Sequence, residues 1–239
     1  MTSPQGGGKA YVIFFEKQPL LAFTSDASVD FTTQDFDAPL TPTQSFYLKT
    51  HTGVDIPRVF WRKQVHGNDV LVAGKEACAK GCPDADALIT DQKNVPIAIR
   101  TADCVPVFIY DPLKQVIGLA HAGWRGTRQR IAAKTVQEMQ DKFTCRCYDL
   151  KVALGPAIRS CCYEAGPEFK AYFPDDTVES GGKIYVDIVA ANRRQLVKAG
   201  VPDSNIFDGG ICTCCNKDYS SFRRDGEKAG RMISLMMLL

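Results

Sequence analysis

Apolar residues in this chain fall into short dense runs more often than into helical stripes. Runs of roughly four to eight apolar residues bounded by Gly, Pro, Asn or Asp read as strands. They occur at 11–15, 69–72, 85–90, 96–100, 105–110, 115–120, 148–154 and 232–238. The runs at 105–110 and 115–120 flank Asp111-Pro112-Leu113-Lys114, a turn sequence, and are expected to pair. The helical period predicts two long helices. Ala132, Val136, Met139 and Phe143 share one face of a helix over 127–142, with Thr127 as its N-cap. A second covers 187–199, capped by Asp187, ended by Gly200 and stopped by Pro202. A shorter helix is expected over 164–172. Residues 25–43, rich in Asp, Thr, Ser and Pro, read as a long surface loop. Several strands precede the first helix, so the order is not regular βαβ. The expected class is α+β, with mixed sheets and flanking helices.

Composition narrows the possibilities. The chain has 239 residues, 45% hydrophobic and 23% charged, ordinary for a soluble globular protein that buries its own core. Its 29 basic and 27 acidic residues leave a net charge of +2. That balance argues against a general partner among nucleic acids or membrane surfaces, though a local arginine cluster can hold a small anion. No run approaches the roughly 18 apolar residues of a membrane span. The polar, glycine-rich residues 1–8 lack the pattern of a signal peptide and are expected to be a disordered tail. The expected location is cytoplasmic. The ten cysteines are then expected to be mostly thiols.

Three segments concentrate the candidate chemistry: Lys63-Gln64-Val65-His66-Gly67-Asn68-Asp69-Val70, Thr101-Ala102-Asp103-Cys104-Val105-Pro106 and His121-Ala122-Gly123-Trp124-Arg125-Gly126-Thr127. Two imidazoles and a thiolate suffice for a catalytic zinc, which takes three protein ligands and keeps one position open. Taken alone, Cys104 reads as a buried filler. Beside His66 and His121 it reads as a metal ligand or an activated nucleophile. Asp103 is either a partner that orients a ligand or a turn residue. Gly67 frees one side of the His66 imidazole. Gly123 and Gly126 allow a tight path into the helix over 127–142. Its N-terminus, with the planar guanidinium of Arg125, suits a phosphate or carboxylate near His121.

Other groups are less specific. Cys212-Thr213-Cys214-Cys215 holds a C-x2-C spacing to which Cys161-Cys162 can add two thiolates. These, like Cys145 and Cys147, are read instead as free thiols. Asp84 is read as a turn residue. Arg223, Arg224 and Arg231 can extend an anion site, with solvated surface as the default reading.

The three segments together resemble the laccase-domain purine nucleoside phosphorylase family, also called the multicopper polyphenol oxidase family. Gly155-Pro156-Ala157-Ile158, Cys162-Tyr163-Glu164, Ala191-Asn192-Arg193 and Cys212-Thr213 occur in that family's order too, so the resemblance covers about residues 58–239. It implies an α+β fold resembling the cysteine hydrolase-like fold, with 9–239 forming a single catalytic domain. It implies zinc held by His66, Cys104 and His121. It also implies phosphorolysis of adenosine, inosine, guanosine and methylthioadenosine, with adenosine deamination besides. The expected catalytic residues are Cys104, His66 and Arg125, and the expected substrate or phosphate contacts are Arg125, Gln64 and Asp103. Where the family carries a Phe-Ser-Thr-Arg-like segment, this chain reads Ala22-Phe23-Thr24-Ser25-Asp26, with no arginine.

Two other activities are weighed against this one. A four-copper oxidase needs many imidazoles, and this chain has three. A blue-copper site usually has a weak axial methionine, and all five methionines lie outside these motifs. Copper in place of zinc at the same ligands is the form an oxidase would take. A cysteine hydrolase acting on cell-wall peptide precursors would use Cys104 as nucleophile and a histidine as base.

Overall fold

The computed structural model describes residues 11–74 and 83–239, so the tail expected at 1–8 lies outside the described residues. In chain order the strands are β1 (Val12–Ile13), β2 (Leu20–Thr24), β3 (Val70–Val72), β4 (Ala87–Thr90), β5 (Ile97–Thr101), β6 (Val105–Asp111), β7 (Val116–Ala122), β8 (Lys151–Leu154), β9 (Glu164–Ala165), β10 (Thr177–Ser180), β11 (Lys183–Val186), β12 (Ile206–Asp208) and β13 (Met232–Leu238). The helices are α1 (Pro42–Thr52), α2 (Trp124–Arg128), α3 (Ile131–Phe143), α4 (Phe169–Tyr172), α5 (Ile188–Lys198) and α6 (Phe222–Asp225). A mixed six-stranded sheet has the order β12-β8-β6-β7-β4-β3. A four-stranded sheet has the order β1-β2-β13-β5, and a three-stranded one β10-β11-β9. The class is α+β.

The dense apolar runs follow from burial on both faces. Side chains alternate across a strand. In β6, Val105, Val107 and Ile109 pack in one core with Ile131, Val136 and Met139 of α3 and Ile188, Val189 and Leu196 of α5. Phe108 and Tyr110, pointing the other way, pack with Ile97, Ile99, Met236 and Leu238 of the four-stranded sheet. That second sheet is also covered on its far side, where Phe23, Ile233, Leu235 and Met237 meet Tyr47 and Leu48 of α1. The result is a layered order of helix, sheet, sheet, helix.

Several expectations change. The helix over 127–142 is broken. Thr127 does not cap it but lies wholly buried inside the five-residue α2, whose N-cap is Gly123. Arg130, at φ 62°, turns the chain before α3. Only 169–172 of the expected 164–172 helix is helical, because Glu164 and Ala165 pair with β11. The run at 148–154 begins with a 3-10 turn over Cys147–Asp149, so β8 is shorter. The loop at 25–43 is not purely surface, since Phe31 and Leu40 are buried in the core. It ends at Thr41, which caps α1 with a capping box. Sequence reasoning missed α1 because its apolar residues keep no helical stripe. The second long helix, by contrast, is capped as expected, with the Asp187 side chain accepting from the Ala190 N–H.

Candidate active site

The β6–β7 hairpin builds the centre of the site. Its register pairs Val105 with Ala122 and Pro106 with His121. Cys104, one residue before β6, therefore meets Gly123, one residue after β7. A Cβ on Gly123 would stand 2.9 Å from Cys104 Sγ and 2.9 Å from His66 Cδ2, so the missing side chain is what lets these groups converge. The ligand atoms of His66, Cys104 and His121 lie within 4.8 Å of one another. The two imidazole rings meet edge-on with centroids 4.8 Å apart.

Asp86 organises this triangle; in the sequence it shows only as the second carboxylate of Asp84-Ala85-Asp86, with no role attached. It precedes β4, which pairs with β7, so it lies opposite His121 and its carbonyl accepts the His121 N–H at 2.7 Å. Its carboxylate lies 2.8 Å from His121 Nδ1 and accepts the backbone N–H groups of Val65, His66 and Gly67 at 2.8–3.1 Å. That arrangement leaves Nε2 of His121 for a ligand and holds the His66 loop against the same strand. The available signal was a carboxylate opening the apolar strand Asp86-Ala87-Leu88-Ile89.

The electrostatics bind the three groups together. Burial alone would raise the Cys104 thiol, but His121 and His66 pull it down to about 6. Burial alone would lower His121, but the Cys104 sulfur and the Asp86 carboxylate push it up to about 9. Asp86 is buried, which disfavours its charge, yet His121 and the backbone N–H donors hold it below the ordinary carboxylate value. Two imidazole nitrogens and a sulfur fit a zinc or copper ion, and the carboxylate behind His121 is the support such histidines usually have.

These groups open on a cleft of about 1060 Å³. Arg62, Lys63, Arg100, Arg125, Arg223 and Arg231 line it, as do Trp124, Tyr163, Phe36 and Phe222. Arg125 is exposed, with its guanidinium 4.3 Å from the centre of the Trp124 ring. The long helix N-terminus expected here is absent, because α2 has only five residues, so guanidinium groups provide the positive charge. Arg223 and Arg231 line this cleft, Arg223 with its side chain exposed there and Arg231 half-buried. Asp103 also lines it, but its carboxylate accepts Thr213 Oγ1 and the Arg223 N–H, both at 2.6 Å. It anchors two loops and does not hydrogen-bond the ring of either histidine. The Gln64 amide is committed at both ends to the Arg100 backbone at 2.8 Å. Residues 22–26 do not line the cleft.

Fold and site together define a mixed α+β protein with a Cys–His–His triangle opening on a cationic cleft. The chain belongs to the family described as multi-copper polyphenol oxidoreductase laccase, whose model matches residues 27–239. A purine nucleoside phosphorylase of Clostridium acetobutylicum is 36% identical over 187 residues, covering 77% of this chain and 78% of that one. The adenosine deaminase RL5, from an unknown prokaryotic organism, is 36% identical over 206 residues, covering 77% and 76%. The crystal structure of YlmD from Geobacillus stearothermophilus superposes with a TM-score of 0.83 at 28% identity, covering 98% of each chain.

Proposed function

We propose that this chain is a zinc-dependent purine nucleoside phosphorylase acting on adenosine, inosine, guanosine and methylthioadenosine, with adenosine deamination as a second activity. The observation that carries this reading is the His66–Cys104–His121 triangle, backed by Asp86 and opening on a cleft lined by six cationic side chains. The cleft volume suits a nucleoside with a phosphate beside it. Relatives named for both activities support the substrate class.

His66, Cys104 and His121 would hold the metal. A bound zinc supplies Lewis acidity at its open position, to polarise a substrate atom or activate water. The protein's own residues do the rest. Arg125, aided by Arg223, binds phosphate in a planar fork and orients an oxygen toward C1′ of the ribose. Phosphorolysis then forms the C1′–O bond as the C1′–N9 bond breaks; the purine leaves with the electron pair and takes up the proton that phosphate gives up, and the sugar leaves as ribose 1-phosphate, or as its 5-methylthio analogue from methylthioadenosine. Trp124, Tyr163 and Phe222 offer faces for the base and exclude water. Gln64 supports the cleft wall through Arg100, and Asp103 positions Cys104.

Copper at the same three ligands is the oxidase alternative, consistent with the family description. The low Cys104 pKa beside the raised His121 favours one further reading. In a thiolate–imidazolium pair the Cys104 sulfur attacks an acyl carbon as nucleophile and the imidazolium gives its proton to the leaving group, as in a cysteine hydrolase. Hydrolase activity that survives chelation would support it.

Phosphate-dependent release of hypoxanthine from inosine tests the proposal. Release that needs phosphate and disappears in His66→Ala supports it. No release from zinc-loaded protein overturns it for inosine.

A further inference from the structure

The triangle is not the molecule's only collection of soft ligands. We propose that Cys161, Cys162, Cys212 and Cys215 form a second, structural metal site that binds one zinc ion through four thiolates. Their sulfurs all lie within 4.8 Å of one another. Cys215 Sγ is 3.6 Å from Cys161 Sγ and 3.3 Å from Cys162 Sγ. Zinc–sulfur bonds of about 2.3 Å put the sulfurs of a tetrahedral site about 3.8 Å apart, so small side-chain shifts close the cage. All four cysteines are free thiols, and thiolates select soft ions such as zinc.

The loops are held in place before any ion binds. Ala157 forms a parallel bridge with Cys212, and the Ala157 carbonyl accepts the Thr213 N–H at 3.1 Å. Arg159 forks onto Asp208 and also donates to the Ile211 carbonyl at 3.3 Å. The turn closes where the Asn216 N–H meets the Cys212 carbonyl at 3.0 Å. Arg223 and Arg224 reach the carbonyls of Cys162 and Cys214, placing positive charge beside a site whose four thiolates outnumber the charge of a dication.

Four protein ligands leave no open position, so the ion would be structural. What it would hold is the wall of the candidate active site. Thr213, between two of these cysteines, hydrogen-bonds Asp103, whose carbonyl accepts the Ile158 N–H at 2.9 Å. Asp103 in turn adjoins Cys104. The ion would tie 157–163 to 211–216 beneath that residue.

The test measures zinc per chain in protein purified under reducing conditions and dialysed free of loosely held metal. His66→Ala/His121→Ala, which dismantles the triangle, should retain one equivalent. Adding Cys161→Ser/Cys215→Ser should remove it. Because the cluster is read in a background lacking the triangle, failure of the zinc phosphorylase reading leaves the result unaffected. Loss of all zinc from the histidine variant overturns the proposal. A second measurement on the unmutated protein guards against misfolded variants. Cys161 and Cys215 are exposed, so free thiols there would alkylate readily. Resistance to N-ethylmaleimide that a chelator abolishes, read by peptide mass spectrometry, supports the site. Equal labelling with and without chelator, or a disulfide among the four, overturns it.

Discussion

His66 and Asp103 both occupy the left-handed backbone region, at φ 60° and 90°. Such residues cost of order 1–3 kcal/mol and persist only where surrounding contacts impose them. Asp86 imposes the first, through three backbone N–H groups, while orienting His121. Asp86→Asn keeps the shape but places an N–H₂ group against donors. Zinc affinity should fall about 10- to 100-fold, as it does when a ligand's supporting carboxylate is lost. Competition with a chromophoric chelator reads this, and unchanged affinity would show that Asp86 does not orient His121. Cys104 yields a pH prediction. In metal-stripped protein its thiolate persists down to about 6 and His121 stays protonated up to about 9. Alkylation of Cys104 by iodoacetamide should be nearly flat between those values and fall below the lower one, as the thiolate takes up a proton. A rate that instead climbs through pH 8 to 9, about where an ordinary thiol titrates, would rule out the pair.

At the scale of elements, the hairpin register decides where the chemistry is. Gly123 has an ordinary helical-entry backbone at φ −72°, so alanine there meets no backbone penalty, only Cys104 and His66. Gly123→Ala should fold, by circular dichroism, yet lose zinc and base release together. Full activity would mean the three ligands do not meet there. Helix α5 supports α2 from behind, since Asn192 Nδ2 donates to Thr127 Oγ1 at 2.9 Å and Gln195 Nε2 to the Thr127 carbonyl at 2.9 Å. The Asp187 cap fixes the start of α5. Asp187→Ala should cost about 1 kcal/mol in denaturant unfolding, the usual worth of an N-cap. No loss of stability would show that the cap is dispensable.

At the scale of the whole molecule, both large sheets bury two faces, and Phe108 sits fully enclosed between them. Phe108→Ala should cost about 3–5 kcal/mol, because packed sheets collapse poorly around a cavity. A much smaller change in the unfolding midpoint would mean that the sheets repack. The sequence alone determined the β-rich order of elements, the β6–β7 turn, the cap of α5 and the three motifs that carry the family. These are local signals, written in alternation, turn residues and short runs. Only the tertiary structure decided the rest. Pairing β4 against β7 brings Asp86 behind His121, although 35 residues separate them. Folding the 211–216 loop onto 157–163 brings four cysteines together, whereas the sequence reading kept them as separate thiols. It also turned Arg223 and Arg231 into the cleft, and broke the helix expected from Thr127, which tertiary burial claimed for the interior. The physical reason is that strand pairing and side-chain convergence between distant segments depend on how the sheets stack, and no local period records that.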